Sequence, residues 1–184
     1  MKVIGIEGSP REDGNTEKLV RAILAGAAQK GADTRFYKIS KMNISPCRGC
    51  IGCRESGICV IQDEMTILYD EIQASDAIVL GSPIYMWQVT AQTKMLMDRL
   101  VVFVKPDFSS RLNGKKDLVL AFTQGNPDPQ SFKFYFDYLE KLFSFMYYDV
   151  RGRVVAHGMR KKDDILDQKE VLERAREIGK SLVA

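Results

Sequence analysis

The stretch Val3-Ile4-Gly5-Ile6-Glu7-Gly8-Ser9-Pro10-Arg11-Glu12-Asp13-Gly14-Asn15-Thr16 decides the fold. Its first half is a short apolar run with β-branched residues, which reads as a buried strand. Ser9 to Gly14 is dense in turn formers. From Thr16 onward Leu19, Val20, Ile23, Leu24 and Ala27 recur at helical spacing until Gly31 stops them. A buried strand passing through a tight loop into a helix is the first half of a parallel βαβ unit. It points free N–H groups and the positive end of the helix dipole at the loop, as an anion requires.

The rest of the chain repeats the alternation. Strands are expected at Thr34–Ile39, Ala77–Leu80, Leu118–Phe122 and Val150–Ala156, the second of them halted by Gly81-Ser82-Pro83. Helical spacing marks Met65, Leu68, Tyr69 and Ile72, then about 90–104, 129–145 and 165–182. The pattern predicts an α/β chain with a flavodoxin-like, doubly wound, five-stranded parallel sheet in the order 2-1-3-4-5 and helices on both faces. Residues 1–184 form a single domain on this reading. Its long irregular segment, residues 40–63 after the second strand, is of the kind that usually carries function.

Composition narrows the function classes. With 27 basic and 24 acidic residues the net charge is +3, so no nucleic-acid partner is expected. No stretch is apolar for long enough to span a membrane. Glu7 follows too closely on the N-terminus for a signal peptide's apolar run, so a cytoplasmic, reducing location is expected.

In an open α/β sheet, ligands bind beyond the carboxyl ends of the strands. Three loops leave the expected sheet there. Ser9, Arg11, Asn15 and Thr16 offer donors to a phosphate, and Gly14 is expected to adopt a backbone angle other residues resist. Neither a nucleoside-triphosphate P-loop nor the three-glycine dinucleotide fingerprint is present. Ser82, Pro83, Ile84, Tyr85, Met86 and Trp87 combine backbone amides with the flat and flexible apolar groups that suit a heteroaromatic ring. Thr123, Gln124 and Gly125 supply polar groups and close approach.

Cys47, Cys50, Cys53 and Cys59 are the only cysteines, in the pattern C-x2-C-x2-C-x5-C. So compact a run suits an iron–sulfur cluster. Gly49, Gly52 and Gly57 lend it flexibility, and Arg48 and Arg54 are expected to lower thiol pKa values. A structural zinc site and free or redox-active thiols are the alternatives.

Gly8-Ser9-Pro10-Arg11 with Gly14-Asn15-Thr16, then Gly81-Ser82-Pro83-Ile84-Tyr85, then Ala91 with Lys94 and Asp98-Arg99, resemble the NADPH-dependent FMN reductase superfamily. The cysteine run followed by Val60-Ile61-Gln62-Asp63-Glu64-Met65 resembles its iron–sulfur flavoprotein branch, with Glu64 where relatives often carry aspartate. The resemblance is detailed over about the first 125 residues. It implies FMN on the three loops, a 4Fe-4S cluster on Cys47, Cys50, Cys53 and Cys59, and electron transfer. The cofactors carry the chemistry, so no side chain is expected to be catalytic. The implied partners are a reduced, ferredoxin-like carrier and small acceptors such as oxygen, peroxide or quinones. Arg48, Arg54 and Lys41 offer an acidic carrier a docking patch. The rival readings are a cluster-free NAD(P)H-dependent FMN or quinone reductase and a non-enzymatic FMN-binding module with a zinc-stapled loop.

Three expectations concern placement. The cysteine loop should open at the same sheet edge as the flavin-shaped loops. The second strand is an edge strand, however, so the cluster should face the FMN of a neighbouring subunit in a homodimer or homotetramer. The aromatic run between Phe132 and Tyr148 should pack one side on the sheet and, as one of two readings, the other on that subunit. His157 has no visible partner, Arg160 to Asp164 reads as a solvated turn, and Lys94, Asp98 and Arg99 read as an ordinary helix ion pair.

Overall fold

Strands and helices alternate as β1 (Lys2–Glu7), α1 (Asn15–Gln29), β2 (Asp33–Lys38), α2 (Gly52–Ser56), α3 (Met65–Ala74), β3 (Ala77–Tyr85), β4 (Gln88–Val89), α4 (Ala91–Arg99), β5 (Lys116–Thr123), α5 (Lys133–Phe145), β6 (Tyr148–Ala156) and α6 (Lys169–Ser181). These are the elements of a computed structural model, which describes residues 1–183. The sheet runs β2-β1-β3-β5-β6 with every neighbour parallel, which is the expected order.

Four features depart from the sequence reading. First, β3 continues through Gly81-Ser82-Pro83, with Ser82 opposite Phe122 and Pro83 opposite Thr123. Pro83 is tolerated because the strand is leaving the sheet there, where a missing N–H costs little. Second, β3 turns back into the short β4 through Met86 and Trp87, both at positive φ (45° and 66°) between the paired Tyr85 and Gln88. That is the geometry of a two-residue type I′ hairpin, usually filled by Asn-Gly. The absence of those residues hid it from the sequence. The third expected helix ends at Arg99 and continues only as a 3-10 turn, Leu100–Phe103. The α-helix α2 lies inside the cysteine segment and was not anticipated.

Alternation along the strands divides the core in two. Ile4, Ile6, Ile78, Leu80, Leu118, Leu120 and Phe122 face α3, α4 and α5. Val3, Ala77, Val79, Val119, Ala121, Val154 and Ala156 face α1 and α6. The second set is smaller, so α1 and α6 sit close to the sheet and to each other. A Cβ on Gly26 would lie 2.0 Å from the Arg176 carbonyl oxygen, and one on Gly179 would lie 1.9 Å from that of Ile23. On α5, Phe136, Leu139 and Phe143 are buried, and Phe136 stacks on Phe122 with 4.5 Å between ring centroids. Phe134, Tyr138 and Phe145 stay exposed on the other side.

The glycine pair yields a test of this packing. Gly179→Ala forces a methyl group into backbone that cannot yield locally, at a cost of about 1–3 kcal/mol. Urea denaturation should show a lower midpoint with an unchanged slope.

Candidate functional site

The carboxyl ends of β1, β3 and β5 open onto a cavity of about 220 Å³ lined by Ser9, Arg11, Asn15, Thr16, Pro83, Ile84, Tyr85, Thr123, Gln124, Gly125 and Met159. The three expected loops therefore do converge. Helix α1 begins behind Gly14 without a side-chain cap, which leaves its first N–H groups free. The Ser9 hydroxyl oxygen accepts the Arg11 N–H at 3.1 Å and keeps its own proton to donate. Below it, the buried Glu7 carboxylate accepts the Ser9 N–H at 2.9 Å and the Lys38 ammonium at 2.8 Å. The same ammonium donates to the Arg11 carbonyl at 2.8 Å, so one lysine fixes both the floor and the rim of the loop. Burial raises the Glu7 pKa, and Lys38 and the Ser9 N–H only partly oppose it.

Several expected ligands have other duties. Gly14 has φ −84°, an ordinary extended value, so its smallness serves the tight contact with Arg11 instead. The Asn15 side chain lines the cavity but donates to the Lys161 carbonyl at 2.6 Å and accepts from the Ile165 N–H. Residues 160–165 are thereby docked against the first loop rather than being a free solvated turn, and Arg11 also reaches the Arg160 carbonyl. Ser82 does not line the cavity: its hydroxyl is buried between the Pro83 carbonyl and the Thr90 N–H. Met86 and Trp87 also lie outside the lining, exposed at the hairpin tip, which the Tyr135 hydroxyl braces by accepting the Val89 N–H. Met159 is new, and only the fold could bring it there. Gln124 has the clearest vacancy: its amide N–H₂ is spent on the Asn126 and Asp128 carbonyls, while its buried Oε1 has no partner. A buried acceptor without a donor awaits one.

The cysteines sit elsewhere. All of Cys47, Cys50, Cys53 and Cys59 line one cavity of about 550 Å³, together with Met97, Arg99, Val101, Val104, Leu142 and Phe145 among others. These are the C-terminal parts of α4 and α5 and the turn after α4. Both helices run back from the carboxyl edge, so the cavity lies toward the amino edge of the sheet, and it shares no residue with the first. The expectation that the cysteine loop opens at the flavin edge is thus wrong. The chain from β2 crosses the α3–α4 face before the first cysteine. Burial pushes the Cys53 thiol up, and Cys59, Cys50 and Cys47 push it further. Several thiolates can share this space only beside compensating positive charge. Among the described residues, no three His, Cys, Asp or Glu side chains converge on a single-ion site.

Asp63 and Arg99 close the segment. The guanidinium donates to Asp63 Oδ2 at 2.9 Å and Oδ1 at 3.1 Å, and the pair is 5% and 1% exposed. It also donates to the Ser45 carbonyl at 2.8 Å, the Ile61 carbonyl at 3.4 Å and the Tyr69 hydroxyl at 3.1 Å. The sequence reading of Arg99 as an ordinary helix ion pair does not hold; Lys94 and Asp98 alone make that surface pair. Burial raises the Asp63 pKa, but Arg99 and the N–H groups of Ser45 and Met65 outweigh it and hold the carboxyl below the usual range. On the outer side, Arg54 donates to the Lys105 and Pro106 carbonyls and lies over the Phe108 ring. Arg111 donates back to the Arg54 and Glu55 carbonyls at the end of α2.

A doubly wound parallel sheet with an uncapped helix and a short hairpin at its carboxyl edge defines a flavodoxin-like fold. The chain belongs to the NADPH-dependent FMN reductase family, whose model matches residues 1–140. It is 48% identical over 99 residues to an iron–sulfur flavoprotein of Methanocaldococcus jannaschii, covering 54% of this chain and 51% of that protein. It is 39% identical over 109 residues to one of Methanosarcina thermophila, covering 59% and 57%. The chain thus matches little more than half the length of these relatives. In fold it is similar to an NAD(P)H:quinone oxidoreductase from Methanothermobacter marburgensis, with TM-score 0.80 and 16% identity over 100% of this chain and 98% of that one. Among the described residues no helix is long and apolar enough to cross a membrane.

The Asp63 pair predicts a pH signature. Its stabilisation is complete above the unfolded carboxyl value of 3.8 and is lost as pH falls through the lower folded value. Asp63→Leu strands the buried Arg99 and should cost about 3–5 kcal/mol near neutrality. Urea unfolding should show that gap narrowing once the pH drops below the unfolded value.

Proposed function

We propose that this chain is an iron–sulfur flavoprotein: an FMN-dependent oxidoreductase that carries a 4Fe-4S cluster and passes electrons between a reduced, ferredoxin-like carrier and small acceptors such as oxygen, peroxide or quinones. The observation that carries the reading is the gathering of all the cysteines around one cavity, separate from a second cavity built for a phosphorylated flavin. When bound, the flavin exchanges electrons in pairs or singly and the cluster exchanges them one at a time.

The residues fit both groups. Ser9, Arg11 and Thr16, with the free N–H groups of α1, would bind the phosphate, and the Glu7–Lys38 pair would keep that loop in place. Thr123 and Gly125 would border the ribityl chain, where the orphan Oε1 of Gln124 would accept a proton donor of the flavin. Pro83, Ile84 and Tyr85 would lie along the ring, with Met86 and Trp87 shielding it from water. Cys47, Cys50, Cys53 and Cys59 would ligate the cluster. Arg48 and Arg54 would offset its charge and, with Lys41, meet an acidic carrier.

The chain's own geometry favours transfer between subunits. The flavin-type cavity opens at the carboxyl edge and the cysteine cavity lies toward the other, while a strand such as the six-residue β1 spans about 20 Å. Phe134, Tyr138 and Phe145 are exposed along one face of α5, and Phe145 borders the cysteine cavity, which supports a homodimer or homotetramer with each cluster facing a neighbour's FMN.

Anaerobic purification tests this. About four irons and four sulfides per chain are expected for a cubane cluster, alongside one FMN. A yellow, iron-free protein whose flavin NADPH reduces rapidly would be the cluster-free reductase instead. Arg11→Ala should weaken FMN binding by about 10–100-fold, the range of a charged hydrogen bond. Riboflavin, lacking the phosphate, should bind both forms alike in a fluorescence titration.

A further inference from the structure

The cysteine segment is tethered by one buried side chain. Arg99 donates to the Ser45 carbonyl, two residues before Cys47, and to the Ile61 carbonyl, two residues after Cys59. Its two hydrogen bonds to Asp63 lock the same exit segment, and Asp63 in turn accepts the Ser45 N–H at 2.8 Å. Entry and exit of the cysteine segment therefore meet on one guanidinium. A planar fork with fixed donors can bridge such acceptors, whereas an ammonium presents a single point charge. Tyr69 closes the ring: its hydroxyl accepts from Arg99 Nε at 3.1 Å and donates to the Arg99 carbonyl at 3.2 Å. Arg99 also lines the cavity that the cysteines line, as the charged group on its buried wall.

The segment has little regular structure of its own. Helix α2 is a single short turn entered by Ile51 in the left-handed region, at φ 53°. Cys47 and Cys50 are exposed; beside the Arg99–Asp63 pair, Asn43 and Glu64 bond to each other across the neck, Ile44, Cys53 and Ile61 are buried, and Arg54 and Arg111 brace the opposite side. Loop closure is entropically costly, and a fixed neck reduces what must be ordered when the ligands close on an inorganic core.

We propose that Arg99, through Asp63, is the positioning residue of the cysteine cavity: it holds entry and exit of the segment together, so that the neck is fixed before a cluster is bound. The proposal rests on the cluster reading above, but its mechanical part concerns the polypeptide alone.

The test replaces the pair with apolar groups, because a buried ion pair can often be exchanged for well-packed hydrophobic residues with no loss of stability. Arg99→Met with Asp63→Leu leaves the Ser45 and Ile61 carbonyls without their donor, so the thermal midpoint should fall modestly while the FMN content is unchanged. Retention of iron during anaerobic gel filtration should fall about 10–100-fold, the range for residues that orient metal ligands. The remaining cluster should show a shifted midpoint potential, which loss of packing alone would not produce. Arg99→Lys, with the charge but not the fork that reaches both Ser45 and Ile61, should also retain less iron than the native chain. In the cluster-free full chain, timed alkylation should modify Cys53 and Cys59 more slowly than Cys47 and Cys50, and the double variant should lose that distinction. If the native chain holds no iron yet the alkylation pattern collapses in the variant, the cluster reading fails and the positioning role stands. A double variant that matches the native chain in iron, potential and alkylation overturns the proposal.

Discussion

The contact between Arg99 and Asp63 is the constraint on which the arrangement of this protein depends. A guanidinium and a carboxylate removed from water are tolerated only when nearly every donor and acceptor is matched, and here the matching groups come from Ser45, Ile61, Met65 and Tyr69. The pair thereby ties a segment with little regular structure to the C-terminal end of α4, a rigid element anchored in turn by its Thr90 cap against the first loop. Without it the neck would be held by the Asn43–Glu64 contacts and the buried Ile44 and Ile61, with no side chain bridging the Ser45 and Ile61 carbonyls. The pair can contribute little net stability, since burial of the charges offsets most of their attraction. Its value lies in geometry.

That tether separates two chemistries. The carboxyl edge of the sheet holds a cavity shaped by backbone N–H groups, hydroxyls and the hairpin through Met86 and Trp87. The cysteine cavity lies toward the other edge, walled by α4, α5 and the turn after α4. Each lies on a stiff scaffold, and neither contributes a residue to the other. On the proposed reading, a second copy would bring its carboxyl edge to the cysteine cavity, which Phe145 on the outer face of α5 borders.

The fold was legible because the strands follow local rules. The run from Val3 to Ile6, with Leu19 to Ala27 behind it, can hardly be anything but strand and packed helix, and the strand order follows once every connection is a helical crossover. The flavin-shaped loops were legible too, since all of them end strands. Three things were not. The hairpin at Met86 and Trp87 has none of the usual turn residues, so its positive φ angles arise from tertiary support. Met159 and the docking of residues 160–165 on Asn15 join segments about as far apart as the chain allows. The position of the cysteine cavity depended on Arg99, whose sequence neighbours Lys94 and Asp98 suggested a surface pair. A buried arginine cannot be told from an exposed one by spacing when its partner lies in an irregular loop.

The central claim is that the flavin site of one chain works with the cysteine cavity of another. Complementation tests it most directly. One variant would carry Ser9→Asp and Arg11→Glu to close the phosphate site, and the other Cys50→Ser and Cys59→Ser to disable the cluster site. Stopped-flow reduction of flavin by a reduced ferredoxin-type carrier would be followed in each variant and in co-expressed mixed assemblies. The account predicts no rapid phase in either variant alone and its return in the mixed assemblies. Mixed assemblies that bind both FMN and iron yet remain without the rapid phase would contradict it.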